Sequence, residues 1–379
     1  MEFSFTKEQE DIKRAAAEFA SKEFPSLAHQ CEEEEIYPME LVKKAADLGF
    51  IGINIPLEYG GGGYGYVEKC ILCEEFWKID PGLGSVLISA TFGSDMLVLY
   101  GTEEQKKRYL MPVTKGETVM GSAITEPDSG SDVASISTRA IRDTKHYIIN
   151  GSKIFITNAT VGGFFMVLCL TDPENPHRHR RHSVILVERD REGFESTKIR
   201  GKMGIRASDT GEITFSNVKV PLENLIGKEN MGFYQFMEFF NRTRIHVGAE
   251  GVGIAQGALD HSISHVRKRE QFGKRLKEFQ TIQFKIAEMA TLIEAARTLV
   301  YRAAHIADSS SPDPKLTAMA KWFSGYVAVK VSDEAVQIHA GYGYISEYGV
   351  DRFFRASKII EIYEGTKEIE KMIISRSIL

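Results

Sequence analysis

The sequence predicts an α+β protein, with an N-terminal helical domain, a central β-domain and a C-terminal helical bundle. Three observations predict it. Apolar residues recur at three- and four-residue spacing from residue 7 to about 117, the period falls to two between about 118 and 228, and long helical patterns return from Gly232 onward. Helices and strands are segregated rather than alternating, which speaks against a Rossmann sheet. No GxGxxG follows a strand, so a nicotinamide enzyme loses support as well. The expected domains are 1–117, 118–228 and 229–379.

In the first domain Thr6 precedes an apolar helical run over 12–19, with Glu10 one place out of register for a capping box. A second helix is expected over 38–48, ending at Gly49. The four glycines Gly60 to Gly63 require a loop. Helical patterns resume over 66–77, 84–100 and 103–110. In the β-domain, 147–157 reads as strand, turn at Asn150-Gly151, strand. Further strands are expected over 164–171, 183–188 and 212–220, and the C-terminal helices break at 309–314.

With 379 residues the chain can bury a large core. Its 47 basic and 52 acidic residues give a net charge of -5, which argues against a general nucleic-acid binder. No apolar run approaches the roughly 20 residues that span a bilayer. The first residues lack the character of a signal or transit peptide, so no membrane association and a cytoplasmic location, or a mature form already processed, are expected. Four cysteines are too few and too scattered for a disulfide framework. Cys70 and Cys73 make one CxxC within an amphipathic helical run and read as core, with no second pair at zinc spacing and no metal site expected.

The segment Tyr363-Glu364-Gly365-Thr366 lies between amphipathic runs over 353–362 and 369–374. A glutamate hanging from a loop between helices becomes a useful base when burial raises its pKa. On its own, a solvated loop glutamate would look the same.

Ala123-Ile124-Thr125-Glu126-Pro127-Asp128-Ser129-Gly130-Ser131-Asp132 resembles the flavin-binding signature of acyl-CoA dehydrogenases. Four further segments resemble the same family in the right order: 154–158 (IFITN), 267–274 (RKREQFGK), 337–344 (QIHAGYGY) and the YEGT at 363–366. The resemblance covers essentially the whole chain. It implies FAD as cofactor, an acyl-CoA thioester as substrate, electron-transfer flavoprotein as acceptor and a homotetramer built as a dimer of dimers.

By that resemblance Ile124, Thr125 and Thr157 meet the flavin ring, Gly130 lets the backbone come close, and Ser131 serves both the cofactor pyrophosphate and the CoA chain. Phe155 stands where the family usually has tryptophan; it keeps an aromatic face and loses the indole N–H. Arg269, Gln271, Phe272 and Gln280 are implied to reach the flavin of a neighbouring subunit, a guanidinium suiting two phosphates. Gln337, Ala340 and Gly341 are implied to meet the same cofactor across the interface, Ala340 replacing a more usual glycine; Thr366 and Glu368 join the cofactor contacts. Asn241 and Arg244 match a helix start that meets the pantetheine, and Gly365 lies beside the substrate. Some relatives carry their catalytic glutamate at the position of Thr243, which cannot serve as a carboxylate base, so Glu364 has no competitor there.

The implied reaction is α,β-dehydrogenation: Glu364 takes the α-proton while hydride leaves the β-carbon for flavin N5, and hydrogen bonds hold the thioester carbonyl as enolate charge develops. Gly84, Ile88 and Phe92 are expected on one helical face lining the acyl pocket, with Asp95 one turn on. Asp95 is either a solvated or capped side chain, or it faces the acyl cavity, selects a cyclic or polar acyl group and assists a second proton transfer. The basic loop Pro176-His177-Arg178-His179-Arg180-Arg181-His182 is either solvated or a clamp on the CoA 3′-phosphate. An oxygen-using acyl-CoA oxidase and a non-catalytic acyl-CoA-binding protein are the alternative functions.

Overall fold

The computed structural model describes residues 4–379. Helix α1 (Lys7–Glu23) starts at a capping box: Gln9 N–H donates to Thr6 Oγ1 at 3.2 Å, and Thr6 N–H donates to Gln9 Oε1 at 3.0 Å. Gln9 rather than Glu10 closes the box, because only the third helical position reaches back to the cap. Helices α2 (Ala28–Glu33), α3 (Met39–Asp47) and α4 (Tyr66–Ile79) follow. Most of α4 is buried, including Cys70 and Cys73, and all four cysteines are buried free thiols.

The single helix expected over 84–100 is two helices, α5 (Pro81–Ser89) and α6 (Ser94–Tyr100). Gly93 breaks it with φ +118°, a conformation a helix cannot contain. Phe92 therefore lies in the connection and Asp95 in the first turn of α6. Helix α7 (Glu103–Thr114) completes the N-terminal helices.

The central part is an eight-stranded mixed sheet. Its strands are β1 (Met120–Ala123), β2 (Arg139–Arg142), β3 (His146–Thr157), β4 (Phe164–Leu170), β5 (His182–Glu188), β6 (Phe194–Lys198), β7 (Thr210–Pro221) and β8 (Leu225–Ile226). Their order is β6-β7-β3-β2-β4-β5-β8, with β1 beside β4. Asn150-Gly151 is not a hairpin turn. Strand β3 runs through it and bulges against β7 between Ile149 and Gly151. A Cβ on Gly151 would meet Thr138 Oγ1 at 2.6 Å, so the close backbone approach, not a reversal, requires glycine there. A second register shift between Lys153 and Ile156 carries Phe155 at φ +60°. Positive φ is rare for a bulky residue, and here it turns the ring outward, 65% exposed.

Helix α8 (Gly232–Lys268) begins the C-terminal bundle, followed by a small hairpin of β9 (Glu270–Gln271) and β10 (Lys274–Arg275). Then come α9 (Gln280–Ser309), α10 (Pro314–His339), α11 (Val350–Ile360) and α12 (Lys367–Ile378). A Cβ on Gly257 would sit 2.3 Å from Lys78 O, and one on Gly253 2.8 Å from Glu74 O. These glycines let α4 lie directly on α8, which brings side chains of both helices to one cavity. Asn241 to Arg244 lie about two and a half turns inside α8, not at a helix start. Among the described residues no helix is long and apolar enough to cross a membrane.

Candidate active site

A cavity of about 1190 Å³ opens where α8, the α11–α12 loop, the sheet and the α5–α6 connection meet. It is roomy beside the roughly 300–1,000 Å³ of ordinary ligand clefts. On the sheet side it is lined by Ile124, Thr125, Gly130 and Ser131 after β1, and by Phe155 and Thr157 of β3. From the helices come Asn241, Thr243 and Arg244, and from the last loop Glu364, Gly365 and Thr366. Ile88, Phe92 and Asp95 line the remaining end. Gly84 does not. A Cβ there would meet Trp77 Cδ1 at 2.8 Å, so this glycine seats α5 on α4, and Ser85 faces the cavity in its stead. Glu368 is exposed in the first turn of α12 and is not part of the lining.

The loop that holds Glu364 is strained and tied down. Glu364 has φ +55° and Gly365 φ +105°. A non-glycine residue there costs about 1–3 kcal/mol and persists only when its surroundings over-determine it. Those surroundings are Arg244 Nε, which donates to Glu364 O at 2.8 Å, and Lys321 Nζ, which donates to Gly365 O. Arg244 is itself held by the buried Glu370, Nε to Oε1 3.0 Å. Thr366 caps α12, its hydroxyl accepting from Ile369 N–H at 3.4 Å. The Glu364 carboxylate accepts a short hydrogen bond from Thr243 Oγ1. Burial pushes its pKa up, and the Thr243 hydroxyl, Arg244 and Lys321 pull it back. Among the described residues no acceptor takes the Glu364 backbone N–H.

The sheet side suits a flat, polar-edged cofactor. Phe155 is an exposed ring lining the cavity, a Cβ on Gly130 would meet nothing within 4 Å, Thr157 ends β3 and Thr125 lies two residues past β1. Ser89 Oγ and Ser122 Oγ are buried, line the same space and lack partners among the described residues. Orphaned hydroxyls and an exposed ring lining one cavity are what a bound flavin would satisfy.

Three family descriptions match most of the chain, in order. They are the N-terminal domain of acyl-CoA dehydrogenase over 6–117, its middle domain over 121–218 and its C-terminal domain over 230–379. The chain belongs to the FAD-dependent acyl-CoA dehydrogenase family. Among relatives, the acryloyl-CoA reductase (NADH) of Anaerotignum propionicum is 42% identical over 381 residues, 100% of this chain and 96% of that one. The short-chain acyl-CoA dehydrogenase of Clostridium acetobutylicum is 40% identical over 379 residues, 100% of both chains. Among solved structures, a chain from work on the electron transferring flavoprotein of Acidaminococcus fermentans and flavin-based electron bifurcation superposes with a TM-score of 0.97. It is 40% identical and each chain is covered to 100%.

Other residues that the family resemblance singles out lie apart from this cavity. Arg269, Gln271, Gln337, Ala340 and Gly341 line a second one of about 670 Å³. The Arg269 guanidinium lies over the Tyr342 ring, 5.4 Å from its centroid. Phe272, at φ +53° on the β9–β10 hairpin, is 93% exposed, and Gln280 is exposed at the start of α9. In the basic loop, Arg178 faces the main cavity and pairs with Asp132, and His179 stacks on Phe233 with centroids 4.2 Å apart. Arg181 turns inward, donating to Asn175 O at 2.8 Å, so the loop's arginines are not equivalent.

Asp95 is neither solvated nor alone. It is buried and accepts from Tyr66 OH at 2.5 Å and from Asn54 Nδ2 at 3.5 Å, with Lys69 Nζ at 3.7 Å. Sequence reasoning missed Lys69, His246 and Glu250, all buried and all lining the cavity. The signal available was charge inside otherwise apolar or small-residue runs: Lys69 beside the CxxC of α4, and Glu250 between Ala249 and Gly251.

Proposed function

We propose that the chain oxidises an acyl-CoA thioester to the 2-enoyl-CoA, with Glu364 removing the α-proton. The observation that carries this reading is the Glu364 carboxylate: held by Thr243 and a strained, anchored loop, it shares one cavity with the flavin-side residues. A base whose pKa burial raises suits abstraction of a weakly acidic α-proton. The free backbone N–H of Glu364 is an available donor for the thioester oxygen, where enolate charge would collect. Arg244 fixes the loop through Glu364 O, and Asn241 lines the path for the pantetheine.

FAD, held by Ile124, Thr125, Gly130, Ser131, Phe155, Thr157 and Thr366, would supply the hydride acceptor for the β-carbon. Arg269, Gln271, Phe272, Gln280, Gln337, Ala340 and Gly341 would meet the flavin of a second copy in a homotetramer. Support comes from their exposure and from the second cavity that all but Phe272 and Gln280 line. We take the domain boundaries as 117/118 and 228/229, the location as cytoplasmic, and the electron acceptor as electron-transfer flavoprotein. The last is supported by the likeness to the A. fermentans chain, which comes from work on an electron transferring flavoprotein. The polar surroundings of Asp95 favour a cyclic or polar acyl group over a plain straight chain.

The reverse direction is the second reading, favoured by the acryloyl-CoA reductase relative. There Glu364 would return a proton to the α-carbon as hydride enters the β-carbon. The test is to add a panel of acyl-CoAs anaerobically to the purified yellow protein, and enoyl-CoAs to its dithionite-reduced form. Bleaching by an acyl-CoA supports dehydrogenation, and recolouring by an enoyl-CoA supports the reverse as well. No response to either would refute both, and rapid reoxidation of substrate-reduced enzyme by air would point to an oxidase.

A further inference from the structure

Proton abstraction and flavin contact use only part of the cavity lining. The cavity also holds charged groups that the reaction does not need. Lys69 on α4, Asp95 on α6, and His246 and Glu250 on α8 all line it, and none is more than 6% exposed. His246 and Glu250 stand four residues apart on one face of α8. From Thr243 to Glu250 that face advances about 10 Å along α8, and Glu250 accepts from the hydroxyl of Tyr363, the residue before Glu364.

The hydrogen-bonding capacity of these groups is unbalanced. Asp95 is well supplied, by Tyr66 OH at 2.5 Å and Asn54 Nδ2 at 3.5 Å. Lys69 is not: an ammonium carries three donors, and its one carboxylate partner, Asp95 Oδ2, is 3.7 Å away. That is beyond hydrogen-bond reach. His246 Nδ1 has no partner among the described residues. Glu250 accepts from Tyr363 OH on one oxygen. Burial pushes its carboxyl up to about 8, so at neutral pH it too is a donor. Unmet buried donors are costly, and here Lys69 supplies the excess.

We propose that Lys69, with His246 and Glu250 beside it, binds an oxygen atom on the acyl group remote from the thioester. The substrate is then an acyl-CoA whose distal end carries a hydroxyl, oxo or carboxylate oxygen. This rests on the cavity being an acyl-CoA site. Asp95 acts as a positioning residue: held by Tyr66 and Asn54, it keeps the ammonium turned toward the cavity without filling its donors. A plain alkyl group would expel water from Lys69 and return nothing, which is how a polar pocket rejects an analogue that lacks the partner atom.

The test measures binding apart from catalysis. Glu364→Gln holoenzyme is titrated with straight-chain acyl-CoAs and with their ω-hydroxy, ω-oxo and ω-carboxy counterparts of matched length. Dissociation constants are read from perturbation of the flavin band. At least one oxygenated class should bind about ten- to hundredfold more tightly than its alkyl match. Preference for the ω-carboxylate would assign recognition mainly to the Lys69 charge, and preference for hydroxyl or oxo groups to shared donation with Glu250 and His246. Lys69→Met in the same background should shrink the preference to within about threefold, while an unchanged flavin spectrum shows that the cofactor site is intact. Equal affinity for alkyl and oxygenated esters overturns the proposal, with no variant of Lys69 required. Wild-type flavin reduction by the same panel tests the dehydrogenation reading separately: oxygenated esters that bind tightly yet never bleach the flavin would sink that reading and leave this one standing.

Discussion

Replacing Thr243 with valine removes a hydroxyl and keeps the shape of the side chain. Among the described residues the only other acceptor near that hydroxyl is Phe240 O at 3.5 Å, so its proton belongs to the shorter contact with Glu364 Oε2. A hydrogen bond to a charged group contributes about 1.5–3 kcal/mol. One pKa unit corresponds to about 1.4 kcal/mol. Thr243 favours the ionised carboxylate, so its loss should raise the pKa of Glu364 by about one to two units, on top of the rise that burial already causes. Only the carboxylate can take the α-proton. The acidic limb of the pH profile for anaerobic flavin reduction should therefore move to higher pH by about that amount. The rate at high pH should change little, and the flavin spectrum should be unaltered. An acidic limb that stays where it is in Thr243→Val, with cofactor content unchanged, would refute the assignment of that limb to Glu364.

Three other outcomes follow from the same geometry. Gly365→Ala places a Cβ 2.4 Å from Glu370 Oε1 at φ +105°, so it should displace the Glu364 loop and lower both Tm and the rate of flavin reduction; wild-type values for both would contradict the anchored-loop picture. Glu250 has its folded pKa raised by burial from the ordinary 4.5 to about 8. Its contribution to stability is therefore fully present below pH 4.5 and is lost as pH rises through 8. Glu250→Gln should accordingly gain several degrees of Tm relative to wild type at pH 8 and little at pH 4.5, read by calorimetry. Arg178→Ala with Arg180→Ala should weaken binding of CoA esters and flatten its salt dependence, whereas dephospho-CoA esters should bind both forms alike. Equal salt dependence in the two proteins would leave the loop a solvated hairpin.

The helix–sheet–helix order was legible because it depends on periodicity alone, and burial imposes periodicity on every long element. Features set by a single backbone angle or a distant contact were not. Asn150-Gly151 has the composition of a tight turn, yet Thr138 on a neighbouring segment makes it a bulge. The break between α5 and α6 rests on the φ of Gly93 within an otherwise uninterrupted apolar pattern. Glu364 was findable because its glycine and its position between two amphipathic runs announce a loop. The contact between Glu364 and Thr243 spans 121 residues of sequence and was not. Lys69, Asp95, His246 and Glu250 come from three helices, and only the close approach of α4 to α8 at Gly253 and Gly257 brings the α4 and α8 members together. One-dimensional spacing carries no trace of such a cluster beyond the oddity of charges in apolar runs.

The central claim is that Glu364 is the base. The most direct measurement is anaerobic addition of a substrate that bleaches the wild-type flavin to Glu364→Gln holoenzyme of equal flavin content. The flavin band should shift as ligand binds yet remain oxidised, because the amide cannot accept the α-proton. Bleaching at a rate near that of wild type would contradict the account and place the base elsewhere in the cavity.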